Sequence, residues 1–178
     1  MRAPSAFIAR FAYLVAHGAR VLDVAAGHGR HARFFAARGA RVLAVDRDPA
    51  ALASLADVAG VDTLVADLEH PAWPLAGRRF GAVIVTHYLH RPRFDALLDA
   101  LEPDGVLLYE TFAVGQERVG RPTNPDFLLG AHELLDRVRG RLTVIAFEQG
   151  RTDVPQPAVI QRLAATGAAR AWPPAVPA

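Results

Sequence analysis

The 178-residue chain contains no cysteine, which excludes thiolate catalysis, zinc ribbons and structural disulfides. It also contains no lysine, so all 20 basic residues are arginine. Arginine stays protonated in proteins. A lysine Schiff base, a Walker-type lysine and the Tyr-x-x-x-Lys pair of many reductases are therefore absent. Although 52% of the residues are hydrophobic, no run of about 18 uncharged apolar residues exists to span a bilayer. The apolar segment 6–15 is broken by Arg10 and does not read as a secretory signal. The expectation is a cytoplasmic chain with no membrane partner.

A sequence pI of about 9.6 suggests nucleic acid, but the formal net charge is only +2. The arginines are spread along the chain. Their one cluster, Arg137, Arg139 and Arg141, lies beside Glu133 and Asp136. That pattern reads as a solvated helix end rather than a phosphate-tracking stripe, so no nucleic-acid partner is expected.

Residues 5–16 place Phe7, Ile8, Phe11, Leu14 and Val15 at helical spacing. Strand and helix patterns then alternate, with strands over 21–24, 42–45, 63–66, 82–86 and 106–111 and helices over 30–38, 49–57 and 94–101. Short apolar strands without polar alternation belong to a parallel sheet covered on both faces, and the alternation of elements gives βαβ units. A helix over 131–139 is followed by strands over 142–148 and 158–164. Their connection of about nine residues is too short for a parallel crossover, so they must run antiparallel. Residues 1–170 read as a single α/β domain, with a Pro- and Ala-rich tail over 171–178 expected to be disordered.

The most informative stretch is the turn after the first strand, Gly27-His28-Gly29-Arg30-His31-Ala32. It fits the Gly-x-Gly-x-x-Gly/Ala fingerprint in the strand–turn–helix setting that lets a ligand approach the backbone and the unpaired N–H groups of a helix start. Asp46 ends the next strand 19 residues after Gly27, at the ribose-binding distance. The ligand is then a nicotinamide cofactor or S-adenosylmethionine. Asp23, inside the strand before the turn, would repel a pyrophosphate but can accept a hydrogen bond from an ammonium group. Asp67, 21 residues after Asp46, ends the third strand where an adenine amino group could be met. With the closing antiparallel pair, these residues favour S-adenosylmethionine.

At these positions the chain resembles the class I S-adenosylmethionine-dependent methyltransferases, and within them the small bacterial tellurite-resistance type. Residues 22–32 resemble motif I of that family, 44–46 motif II and 66–68 motif III. The resemblance covers about 21–165. It implies a three-layer, Rossmann-like, seven-stranded and mainly parallel sheet ending in an antiparallel pair. It also implies that Asp23, Ala25, Gly27 and Gly29 hold the amino-acid end of the cofactor, that Asp46 accepts both ribose hydroxyls, and that Asp67 and Leu68 meet the adenine. Arg47 and Thr86 complete the expected cofactor set. The chain departs from the family pattern in having Ala25 and Ala26 where many members carry Gly and Cys.

The fourth strand ends in Thr86-His87-Tyr88-Leu89-His90-Arg91-Pro92, which the resemblance places beside the transferable methyl group. His87 is the candidate general base, because an imidazole near neutral pKa suits proton removal; lining the pocket, or capping the next helix, are its other readings. Tyr88, His90 and Arg91 are candidate acceptor contacts. Glu110, at the end of the fifth strand, either orients a substrate or pairs with Arg91. The long loop 113–124 reads as a lid, whose Arg118 and Arg121 could attract an anionic acceptor or stand as solvated charges. The segment at 86–89 is not the Asn/Asp-Pro-Pro-Tyr/Phe of base amino-group methylation, and cytosine C5 chemistry needs a cysteine. His28 and His31 are not expected to bind metal. The expected function is methyl transfer from S-adenosylmethionine to a small molecule, with an anionic acceptor as one reading. A nicotinamide-dependent oxidoreductase and a non-catalytic adenosyl-nucleoside-binding module are the alternatives, the latter marked by an exposed apolar patch on the N-terminal helix. Oligomeric state is not legible.

Overall fold

The computed structural model describes residues 3–174. Seven strands form one sheet: β1 (Arg20–Val24), β2 (Arg41–Asp46), β3 (Val61–Val65), β4 (Phe80–Thr86), β5 (Leu101–Phe112), β6 (Leu142–Thr152) and β7 (Ala158–Gly167). Their spatial order is β3-β2-β1-β4-β5-β7-β6. The first five run parallel. β7 pairs antiparallel with both β5 and β6, as the short connection between the last two strands requires. The order reverses between β1 and β4. In open α/β sheets that reversal leaves a crevice outside the carboxyl ends of the strands, where ligands bind.

Five helices cover the faces: α1 (Ala6–Phe11), α2 (Arg30–Ala37), α3 (Pro49–Ala53), α4 (Phe94–Asp99) and α5 (Glu133–Val138). The central strands send successive side chains to opposite faces, and each face is dry. Leu22, Val24, Val83 and Val85 pack with Phe94, Leu97, Leu134 and Val138 of α4 and α5. Val21, Ala82 and Ile84 pack with Phe7, Ile8, Phe35 and Leu52 of α1, α2 and α3. Burial on both sides is why β1 and β4 read as apolar runs without alternation.

Several elements differ in length from the sequence reading. The helix expected over 5–16 is α-helical only to Phe11 and tightens into a 3₁₀ turn over Ala12–Leu14. α3 starts as its sequence demands, with Pro49 in the first turn and the Asp48 carboxylate accepting from Ala50 and Ala51. It stops at Ala53 instead of 57, because Ser54 turns its hydroxyl back onto the Ala51 carbonyl at 2.8 Å and the chain continues in three-residue turns. β5 begins at Leu101 rather than 106, with an irregularity in its pairing to β4 between Phe80 and Ala82. The expected terminal disorder falls partly on residues 175–178, which lie outside the described residues. Among the described residues no helix is long and apolar enough to cross a membrane.

Candidate active site

The turn between β1 and α2 is built from left-handed residues: Ala25 (φ 51°), Gly27 (φ 53°) and Gly29 (φ 69°). A Cβ on Gly29 would lie 2.4 Å from Leu55 Cδ1, so glycine is needed there for space as well as for conformation. Ala25 holds the same backbone region with a side chain, which costs about 1–2 kcal/mol. Neighbouring strands pin the turn: Ala26 N–H donates to the Val45 carbonyl at 3.0 Å, and Gly27 N–H donates to Asp46 Oδ2 at 2.8 Å. Asp46 also accepts from Asp48 N–H on Oδ1 at 2.9 Å, so the carboxylate is fixed at the end of β2.

Asp23 lies beneath the turn at 1% exposure. Its Oδ2 accepts from Ala32 N–H in the first turn of α2, at 2.9 Å. Burial pushes its pKa up to about 7, while that hydrogen bond and the nearby Arg30 work the other way.

Two cavities open at the carboxyl ends of the parallel strands. The smaller, about 190 Å³, is bounded by Ala25, Asp46 and Arg47 on one side and by Ala66, Asp67, Leu68 and Glu69 on the other, with Tyr88 closing it. Asp67 is exposed and holds its own loop by accepting from Glu69 N–H at 2.9 Å. Leu68 is buried. Tyr88, an expected acceptor contact, thus lies on the side of Asp46, Asp67 and Glu69. Its hydroxyl is buried without a hydrogen-bond partner among the described residues, and burial pushes its pKa well above the usual phenol value.

The larger cavity, about 410 Å³, adjoins the other side of the turn. Its walls come from the N-terminal residues 3–6, Arg30, the ends of β4 and β5 (His87, Glu110, Phe112) and the β6–β7 hairpin around Thr152–Ala158. Glu110, 6% exposed, accepts from Arg162 Nε at 2.6 Å and from the Ser5 hydroxyl at 2.9 Å on Oε2. Arg162 reaches on to Glu148 at 3.2 Å, and Glu148 also pairs with Arg10. Glu110 therefore pairs with Arg162 and not with Arg91.

The N-terminal residues are anchored by Ser5 N–H, which donates to His31 Nε2 at 3.1 Å. Burial, followed by the charge of Arg30, lowers the His31 pKa to about 3, so the ring is neutral and its proton sits on Nδ1, 3.4 Å from Thr86 Oγ1. His31 is thus a structural hydrogen-bonding residue. His87 has a left-handed backbone (φ 54°) held by its N–H donating to the Glu110 carbonyl at 2.9 Å. Its ring stacks on Phe112 with centroids 4.7 Å apart and planes 20° apart. Strain of this kind persists where the surroundings over-determine it, typically at ligand sites.

Other expected site residues lie elsewhere. Arg91 donates Nε and Nη2 to Glu133 at 2.8 and 2.9 Å, and donates as well to the carbonyls of Asp126 and Leu128. Burial opposes the charge on Glu133, yet the hydrogen bonds from Arg91, Gly130 and Arg137 hold its pKa down at about 2. His90 faces Glu69, with Nδ1 3.8 Å from Oε2. Arg121 is exposed and lines neither cavity. Its loop is fastened to β7: Ala113 N–H donates to the Val159 carbonyl, and the buried Gln116 accepts from Val159 N–H while donating to the Arg121 carbonyl. The sequence reading missed Ser5, Arg30, Phe112 and Arg162, whose roles depend on contacts between distant segments. No cluster of three or more His, Asp or Glu placed to hold a metal ion exists among the described residues.

Residues 21–105, just under half of the chain, match the family model of the methyltransferase domain. No curated protein matches the sequence. TehB from Haemophilus influenzae superposes on 90% of the chain with a TM-score of 0.76 at 14% identity, and the chain spans only 61% of that protein's length. The 1,6-didemethyltoxoflavin-N1-methyltransferase of Burkholderia thailandensis, crystallised with 1,6-didemethyltoxoflavin and S-adenosylhomocysteine, superposes on 89% of the chain and is covered over 75% of its own, with a TM-score of 0.66 at 22% identity. A TehB-like S-adenosylmethionine-dependent methyltransferase of Corynebacterium glutamicum matches over 87% of this chain and 83% of its own, at 18% identity and a TM-score of 0.61. Residues 21–105 therefore resemble a methyltransferase domain, and the chain as a whole has the fold of the class I S-adenosylmethionine-dependent methyltransferases, similar to that of TehB.

Proposed function

We propose that this chain transfers the methyl group of S-adenosylmethionine to a small-molecule acceptor held in the larger cavity. The observation that carries the reading is the pair of cavities flanking one glycine turn at the carboxyl ends of the same strands. The smaller has the chemistry an adenosyl group needs. Asp46 and Asp67 offer carboxylate acceptors for ribose hydroxyls and the adenine amino group, and Ala25, Leu68 and the Tyr88 ring supply apolar wall. Bound there, S-adenosylmethionine supplies a sulfonium methyl: an acceptor lone pair forms the new bond to that carbon as the carbon–sulfur bond breaks, its electrons leaving with sulfur.

The protein's part is to position the acceptor and exclude water, which supplies most of the acceleration in such a displacement. Glu110, already engaged by Arg162 and Ser5, orients the wall and the N-terminal residues. His87, exposed and lining the larger cavity, would in this reading take a proton from the acceptor. Arg30 gives the cavity a positive pole, which suits an anionic acceptor.

A nicotinamide cofactor fits less well, since the Asp23 carboxyl lies beneath the turn that its pyrophosphate would approach. A docking module would show an apolar face on the N-terminal helix, whereas Phe7, Ile8 and Leu14 are buried. The test is equilibrium binding of S-adenosylhomocysteine to Asp46→Asn, which keeps an oxygen for Gly27 N–H but removes the charge. Affinity should fall at least tenfold, about 1.4 kcal/mol. Unchanged affinity would show that the ribose does not lie at Asp46.

A further inference from the structure

We propose that the acceptor is a planar aromatic or heteroaromatic acid, with its ring against the Phe112–His87 pair and its carboxylate on Arg30. This rests on the reading that the larger cavity holds the acceptor.

The charge pattern of the cavity is lopsided. Arg162 is matched by Glu110 and Glu148, at 2.6 and 3.2 Å. The Arg30 side chain is half-buried in the same wall and makes no hydrogen bond or close ion pair among the described residues, although its charge acts on the buried Asp23. A partly desolvated guanidinium whose N–H groups are not taken up by the protein favours an anion, and its planar fork matches a carboxylate with two parallel hydrogen bonds.

Part of the remaining wall is apolar. Phe112 and His87 form a stacked pair with planes 20° apart, and Ile160, Val154 and Pro155 face the same space. A small inorganic oxyanion would satisfy Arg30 and leave that surface wet. A planar ring covers it, adding stacking of about 0.5–1.5 kcal/mol beyond the burial of its area. The volume, about 410 Å³, lies within the range of small-molecule sites. The left-handed backbone of His87 is held by the Glu110 carbonyl, and its ring stacks on Phe112.

Ligand-observed NMR titration of the protein saturated with S-adenosylhomocysteine tests this, using benzoate, benzamide, cyclohexanecarboxylate and sulfate as probes. Benzoate should bind at least tenfold more tightly than the other three. Arg30→Gln should weaken benzoate at least tenfold and Phe112→Leu at least threefold, with S-adenosylhomocysteine binding by each variant showing that it is folded. Benzamide binding as well as benzoate, or Arg30→Gln leaving benzoate unaffected, overturns the acid. Equal binding of cyclohexanecarboxylate, or no effect of Phe112→Leu, overturns the aromatic ring. Sulfate matching benzoate, or benzoate failing to bind the saturated protein, overturns the proposal as a whole. Failure of S-adenosylhomocysteine itself to bind the wild-type protein is a different result and refutes the underlying methyltransferase reading.

Discussion

Asp23 sits at 1% exposure under the glycine turn with a single backbone donor on its carboxylate, so ionising it there is harder than in water. Its pKa in the folded chain, about 7, lies above the ordinary 3.8. Between these values the folded protein keeps a proton that the unfolded chain has lost. Stability from this group is therefore greatest below about pH 4, declines as pH rises through the window, and is lowest above pH 7. The thermal midpoint should fall between pH 5 and 8, and Asp23→Asn should flatten that slope. An identical slope in the variant would assign it to other groups. Glu133 acts with the opposite sign in a separate window: its pKa is depressed to about 2, so its stabilisation is present above about pH 4.5 and is lost as pH falls toward 2. At this scale the sequence exposed what recurs by spacing. Asp46 and Asp67 are legible because strand ends in a parallel sheet fall at one edge. Arg30 and Phe112 were not, because their importance comes from what is absent around one and stacked on the other.

Arg91 shows why a charged residue in a site-like segment can belong to the scaffold. It bridges the carboxylate of Glu133, at the start of α5, and the carbonyls of Asp126 and Leu128, tying the segment after β4 to the segment before β6. Its side chain is 32% exposed and that of Glu133 18%, so solvent screens part of the attraction. Arg91→Ala should lower unfolding stability by about 1–2 kcal/mol. In the same variant S-adenosylhomocysteine affinity should stay within twofold, measured by chemical denaturation and by titration. A large loss of affinity with unchanged stability would return Arg91 to the site. Among the elements, β1, β2 and β4 were readable because burial on both faces leaves an uninterrupted apolar run. Helix ends were not. α3 is stopped by the Ser54 hydroxyl, and the N-terminal helix tightens after Phe11, both through local hydrogen bonding that periodicity does not register.

For the whole molecule, the division of labour follows the sheet. The parallel half, with its glycine turn and strand-end carboxylates, builds the adenosyl-type cleft from residues within 21–88. Most of that cleft was legible, since a strand–turn–helix repeat carries its own register. The larger cavity is assembled from segments distant in sequence, with residues 3–6 laid against the β6–β7 hairpin and the ends of β4 and β5 through Ser5, Glu110 and Arg162. Nothing in local sequence announces that meeting. The long loop 113–124, which reads as a lid, is fastened to β7 at Gln116 and Ala113. The most direct test of this account is calorimetric titration of the purified chain with S-adenosylhomocysteine and with NADH. S-adenosylhomocysteine should bind at micromolar concentration, about −8 kcal/mol, and NADH should not bind. Binding of NADH alone would contradict the assignment of the glycine turn to an adenosyl sulfonium and end the methyltransferase reading.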